Sequence, residues 1–221
     1  MKKLLCRIMP LYAWVLLILL LSANFLVYFC TRFFTAGWKH YSLETPWDRA
    51  LPFVPFFVLF YVLAYLQWVI GYVMIGRGGR ETAFRILVGE LIAKGITLVF
   101  FIFLPTTVES LRPAAQSLQD GGLWCRLTAL IYRLDAADNC FPSVHCLESW
   151  VCFRGALRLK NVPKWYAPVM LATTLLVFAS TVLVRQHVLA DILGGVLAAQ
   201  AGLFLADRLK PERFAGEEGG L

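Results

Sequence analysis

An all-α integral membrane bundle of six transmembrane helices is the fold the sequence predicts, and three observations predict it. Hydrophobic residues make up 59% of the 221 positions and charged residues only 16%, where soluble domains average roughly 45–50% and about 25%. Six apolar stretches come close to the ~20 residues needed to cross a bilayer, at 10–29, 53–75, 84–104, 141–159, 165–184 and 188–206. The gaps between them are short and polar, which leaves no room for a separate soluble domain. Residues 1–210 therefore read as one six-span membrane domain. Residues 211–221, with their Gly and Glu content, read as a flexible cytoplasmic tail.

The first stretch follows a basic start and superficially resembles a secretory signal. It reads instead as an uncleaved anchor, because the apolar run is long, no A-x-A-like site follows and further spans come after it. An even number of crossings puts both termini on one side. The segments on that side carry 13 Lys and Arg, among them Lys2, Lys3, Arg7, Arg77, Arg154 and Arg208, and the opposite segments carry 7. The positive-inside rule makes the termini cytoplasmic, which suits a bacterial plasma (inner) membrane. The long loops 30–51 and 105–140 then face outward, where function usually lies. The net charge of +7 is spread over helix ends rather than gathered in a stripe, so no nucleic-acid partner is expected. Trp38, Trp47, Trp124, Trp150 and Trp165 suit interfacial or packing positions.

Within the third stretch Glu90 and Lys94 are four residues apart and share a helical face. They are either functional charges in the membrane or an ion pair that packs this helix against another. The six cysteines, Cys6, Cys30, Cys125, Cys140, Cys146 and Cys152, show no C-x-x-C spacing and read mostly as small apolar packing residues. Cys125 and Cys140 share one outward loop, where an oxidising compartment allows a disulfide.

Two of the three histidines stand where apolar stretches begin on the outward side, whereas His40 lies in a loop without an obvious partner. His187 and Asp191 are four residues apart, just ahead of a run that contains Gly194-Gly195. A carboxylate bonded to one ring nitrogen fixes the tautomer and frees the other nitrogen to attack. His145 ends Asn139-Cys-Phe-Pro-Ser-Val-His145. Pro142 suits a first helical turn, and Asn139 or Ser143 suits a cap. The free N–H groups of such a helix start attract anions, and a histidine one turn in can protonate a leaving oxygen. Arg112, in Arg112-Pro113 just after the third stretch, carries the fork of donors that grips phosphate. A zinc site built from His145, His187 and Asp191 is the competing arrangement, but no H-E-x-x-H pattern supports it.

The order Arg-Pro, Pro-Ser-x-His, Ser-x6-His-x3-Asp resembles the type 2 phosphatidic acid phosphatase superfamily from the third stretch to the sixth, with the catalytic elements at 105–191. The resemblance implies a six-helix membrane enzyme that removes phosphate from a lipid through a phosphohistidine. His187 would be the nucleophile, Asp191 its orienting partner and His145 the acid, in a cleft at the outer interface between the fourth, fifth and sixth spans and open sideways to lipid. Ser143 and Arg112 would hold phosphate oxygens, with Ser180 and Arg185 as further phosphate-binding candidates, and no metal or other cofactor is implied. Three positions depart from the family pattern: Val144 replaces its Gly, Thr181 its Arg, and Pro105 its Lys. Arg185 is the candidate replacement charge, and Lys94 is out of register. The resemblance also extends to enzymes that transfer phosphorylated headgroups between lipids. The partners it implies are a membrane lipid phosphate and the bilayer. A catalytically silent protein that binds or transports an anionic lipid is the third reading.

Overall fold

The computed structural model describes residues 9–214. The basic start with Lys2, Lys3, Cys6 and Arg7, and the tail from residue 215 onward, lie outside the described residues. Among the described residues the protein is all-helical. Five helices are long and apolar enough to cross a membrane: α1 (Leu11–Thr35), the Pro55–Arg77 helix whose regular part is α3 (Val58–Arg77), α4 (Arg80–Phe103), α8 (Tyr166–Leu183) and α9 (Leu189–Leu209). Short helices α2 (Pro46–Ala50), α5 (Ala115–Gln119) and α6 (Leu123–Leu134) belong to the two long loops.

The stretch expected to be the fourth span is helical only over α7, Val144–Ala156. Thirteen residues rise about 20 Å, short of the ~30 Å hydrocarbon core. Residues 141–143 form the turn into the helix, with Ser143 as its cap, and 157–159 form the turn out. Nine residues of α7 are buried, Glu148 and Ser149 included, because it runs through the middle of the bundle against α3, α4, α8 and α9. Its polar residues are matched from those neighbours. Lys94 of α4 forms an ion pair with Glu148 and donates to Asn24 Oδ1 at 2.7 Å, Trp68 donates to Ser149 Oγ at 3.0 Å, and Thr174 donates to the Ser149 carbonyl at 3.0 Å. Glu90, the sequence neighbour of Lys94, instead accepts from Tyr72 at 2.9 Å. Of the two readings of this pair, helix packing is the one with visible contacts, and its acid comes from α7.

The most extensive helix pairing is α4 with α9. Lipid tails are as apolar as a leucine side chain, so helices in a bilayer associate through close backbone approach at small residues. Gly89 and Gly202 provide it: a Cβ on Gly202 would stand 2.1 Å from the Gly89 carbonyl oxygen. Around this contact Ile86, Leu87, Ala93, Leu147, Val151, Ala199 and Leu203 make the main core.

The helices alternate in direction. The ends of α1, α4 and α8 and the starts of α3, α7 and α9 therefore meet at one end of the bundle. Met9 lies at the other end, against Gly76, as does Glu212, which accepts from Arg85 Nη2 at 2.7 Å. Loops 36–57 and 104–143 close over the first end. Tyr41 N–H donates to the Pro105 carbonyl at 2.8 Å, Thr107 N–H to that of Tyr41 at 2.9 Å, and Val54 N–H to that of Leu183 at 2.9 Å. A capping box between Thr45 and Asp48 starts α2, and Asp48 Oδ1 also accepts from Leu189 N–H at 2.7 Å, tying the cap to α9. Trp38, Trp47 and Trp165 are exposed, whereas Trp124 packs edge-on against Phe56 and Trp150 donates to Gln200.

Candidate functional site

The turn between α8 and α9 sets the first histidine. Arg185 takes a left-handed conformation, φ 57°, an arrangement that costs a non-glycine residue about 1–2 kcal/mol. The N–H groups of Gln186 and His187 then both bond back to the Thr181 carbonyl, at 2.9 and 3.0 Å. The chain re-enters helix at Leu189, and Asp191 in that first turn accepts from Val188 N–H at 3.0 Å. The same oxygen, Oδ2, lies 3.2 Å from His187 Nδ1. Asp191 is fully buried, which leaves His187 Nε2 as the ring nitrogen available for attack.

The second histidine is placed by the same contact. Ser143 N–H donates to the Asp191 backbone carbonyl at 3.0 Å. A Cβ on Gly195 would stand 2.5 Å from the Ser143 carbonyl oxygen, so glycine there permits the close approach of α9 to the start of α7. His145, in the first turn of α7, stacks on Tyr61 with centroids 4.1 Å apart and packs beside Trp68 at 5.1 Å. Its ring centre is 6.3 Å from that of His187. The N–H groups of Val144 and His145 have no acceptor among the described residues, as expected for the open first turn of a helix.

Both imidazoles line a cleft of about 440 Å³. The sequence reading expects this cleft between the fourth, fifth and sixth spans. It lies instead between α1, which supplies Asn24, Tyr28 and Phe29, and α3, which supplies Tyr61, Val62, Tyr65 and Trp68, with the end of α6 and residues 135–140 above it. No residue of α8 lines it, because α8 and α9 support the histidines from behind. Phe29 and Tyr65 on its rim are exposed on the side of the bundle.

The residues expected to hold phosphate stand elsewhere. Arg112 donates to the carbonyls of Asp135 at 3.0 Å, Ala136 at 3.1 Å and Arg185 at 3.4 Å, and to Gln186 Oε1. Its guanidinium lies over Tyr132, 4.6 Å from the ring centre. Arg185 donates to the carbonyls of Asp48 and Leu51 at 2.7 and 2.6 Å and so holds the cap loop. Ser180 bonds to its own helix at Val177, and Ser143 caps α7 by accepting from Cys146 N–H at 3.4 Å. Thr181 likewise turns to the Phe178 carbonyl. In a loop rich in unpaired carbonyls, an arginine fork finds its acceptors in the backbone.

Five cleft residues had no part in the sequence reading. Asp135 accepts from Tyr28 and, at 2.6 Å, from Tyr61. Burial pushes its carboxyl up, but the His145 imidazole, the two hydroxyls and His187 pull it down further, and it ends below the usual carboxylate range. Trp68 and Gln186 complete the set. The polar run Asp135-Ala-Ala-Asp138-Asn139 before the second histidine element is the one signal that points to this group.

Cys140 Sγ, His187 and Asp191 offer donor atoms within 4.8 Å of one another, a group able to hold a soft cation, and His145 is not part of it. The Cys140 thiol donates to the Ala137 carbonyl at 3.4 Å, and burial, with Asp191 nearby, pushes its pKa well up. Cys125 and Cys140 are both free cysteines, so the disulfide allowed by their shared loop is not formed; Cys140 is buried beneath the cap while Cys125 sits on α6 beside Gly121.

The fold and site define a multi-pass membrane protein with a paired His–Asp group and a second histidine at one end of a helical bundle. A sequence profile of the PAP2 superfamily matches residues 82–214, and the chain belongs to that superfamily, whose members are in general phosphatases and phosphotransferases acting on phosphate esters. The match includes Arg112, His145, His187 and Asp191 and excludes α1 and α3. Comparisons with curated proteins and with solved structures gave no match.

Proposed function

We propose that the protein is a membrane-embedded lipid phosphate phosphatase that acts through a phosphohistidine on His187. The observation that carries the reading is the buried His187–Asp191 hydrogen bond facing His145 across the cleft. His187 Nε2 attacks phosphorus while Asp191 stabilises the resulting imidazolium. His145 gives a proton to the leaving lipid oxygen and takes one back from the water that cleaves the phosphohistidine. The free N–H groups at the start of α7 receive the charge that grows on the phosphoryl oxygens. In this reading α7 is a sixth, shortened crossing and both termini are cytoplasmic. The cleft then opens toward lipid in the outer leaflet of a bacterial plasma membrane, an orientation supported by the Lys and Arg distribution.

A second reading is transfer of a phosphorylated headgroup to an acceptor alcohol. It is favoured by the absence of Lys and Arg from the lining of the cleft among the described residues, since a dianionic monoester has little there to neutralise it. The deciding experiment follows products from a panel of lipid phosphates in chelator, with and without acceptor alcohols, for wild type, His187→Ala and His145→Ala. Phosphate released only by wild type supports the phosphatase. A new phosphodiester supports the transferase. Lipid binding without turnover, unchanged in His187→Ala, overturns both and leaves anionic-lipid binding or transport.

A further inference from the structure

We infer that the cleft is built for a zwitterionic phosphodiester lipid, one whose headgroup carries its own ammonium ion beside the phosphate. The inference names the substrate class of the site above. Only its catalytic clause rests on His187 being the nucleophile.

The cleft has two chemically different halves. Around His187 are donors. Gln186 lines the cleft with Nε2 buried and unpartnered among the described residues. Its orientation is fixed because Oε1 accepts from Arg112, which has donors only. Arg112 thus reaches the phosphoryl group through the polarised amide of Gln186, without entering the cleft itself. One amide, two imidazoles and the first-turn N–H groups of α7 suit a single negative charge.

The other half presents acceptors and ring faces. Asp135 receives two tyrosine hydroxyls and keeps its charge. Asn139, 3% exposed, spends Nδ2 on the Tyr28 carbonyl and Thr31, and its Oδ1 is buried without a partner among the described residues, as is Asp138 Oδ1. Tyr28, Phe29, Tyr61, Tyr65 and Trp68 line the same cleft. Asp138 is already paired with Arg32 at 3.0 Å and Tyr61 is stacked on His145, so the Asp135 carboxylate, Asn139 Oδ1 and the faces of Tyr28, Phe29, Tyr65 and Trp68 remain as the surroundings that attract an ammonium ion. A monoester dianion meets repulsion from Asp135, whereas a headgroup with one charge of each sign matches both halves. In the reaction His187 Nε2 bonds to phosphorus as the P–O bond to the glyceride breaks. The leaving oxygen takes the proton of His145, and water or an alcohol then displaces the headgroup phosphate from histidine and returns a proton to His145.

The test separates recognition from chemistry. Binding of the phosphodiesters glycerophosphocholine, glycerophosphoethanolamine and glycerophosphoglycerol to the His187→Ala protein in detergent is measured by calorimetry, followed by the same series with Asp135→Asn and Asp135→Glu added. The expected result is a preference of roughly thirtyfold for one or both ammonium compounds, lost in Asp135→Asn and retained in Asp135→Glu. The two ammonium compounds distinguish a primary from a quaternary headgroup. Equal or tighter binding of glycerophosphoglycerol, or a preference that Asp135→Asn leaves unchanged, overturns the inference. Turnover of phosphatidylcholine, phosphatidylethanolamine and phosphatidic acid vesicles by the wild type is scored separately. His187-independent or absent turnover sinks the catalytic reading, while the binding series still decides the headgroup.

Discussion

Replacing Asp191 by Asn separates catalysis from folding. Asp191 Oδ2 holds His187 Nδ1 at 3.2 Å and Val188 N–H at 3.0 Å. Both bonds go to the one oxygen, so asparagine meets them with its amide oxygen there and its NH2 in the buried place of Oδ1; what is lost is the negative charge that stabilises the imidazolium. Loss of the carboxylate in other histidine-based sites costs about 10⁴ in rate, which is ~5.4 kcal/mol of barrier at about 1.36 kcal/mol per decade. The cost to folding is smaller. One charge leaves the start of α9, worth about 0.3–1 kcal/mol, and one buried hydrogen bond is weakened, worth about 1 kcal/mol. Product release measured beside thermal unfolding in the same detergent tests this. Activity within tenfold of wild type in a folded Asp191→Asn protein would refute the role given to the pair.

Three further outcomes are expected. Lys94→Met leaves the Glu148 carboxylate buried and unpaired, which should destabilise the protein by about 3–5 kcal/mol; adding Glu148→Leu should recover most of it, and a chemical unfolding series shows whether it does. Gly202→Ala pushes a methyl group against the Gly89 carbonyl, and the overpacking should cost about 1–3 kcal/mol or more, whereas Gly37→Ala, with nothing within 4 Å, should change the unfolding midpoint little. Because the Asp135 carboxyl is held below the usual carboxylate range, its contribution to stability is present above about pH 4 and is lost as pH falls through the lowered value. Asp135→Asn should flatten that acid limb of a stability–pH curve, and an unchanged slope would count against the Tyr28–Asp135–Tyr61 group.

Local spacing carried the parts of this protein that are local. His187 and Asp191 are one helical turn apart, so their contact follows from periodicity alone, and Ser143 caps α7 as its place before Val144-His145 suggests. Four long helices lie close to the apolar stretches that foretell them, at 53–75, 84–104, 165–184 and 188–206, and α1 continues past Phe29 to Thr35. The fourth stretch is apolar enough in composition, but three residues at each end go into turns. What spacing does not reveal is pairing across the bundle. Lys94 sits one turn from Glu90, yet its partner Glu148 comes from a helix 54 residues later in the chain. Tyr28 and Tyr61 look like ordinary members of apolar runs until α1 and α3 bring both to Asp135. Arg112 and Arg185 are in the expected order, but whether an arginine meets a ligand or a carbonyl depends on loop conformation, to which sequence order is blind.

The backbone contact at Gly89 and Gly202 divides the mechanical duties of the molecule. It joins α4 and α9 into a slab that holds Asp191 directly and, through Gly195 and the Ser143 N–H bond, the start of α7. The opposite wall of the cleft is a different kind of object. Helix α1 rests chiefly on α4, and its π-helical turn, Leu26–Cys30, falls at Tyr28 and Phe29, where the helix borders the cleft. Even so this wall is pinned at the cleft, where Tyr28 donates to Asp135, Asn139 to Thr31 and Lys94 to Asn24, so that residues 11–35 hold the acceptors in place while the slab holds the histidines.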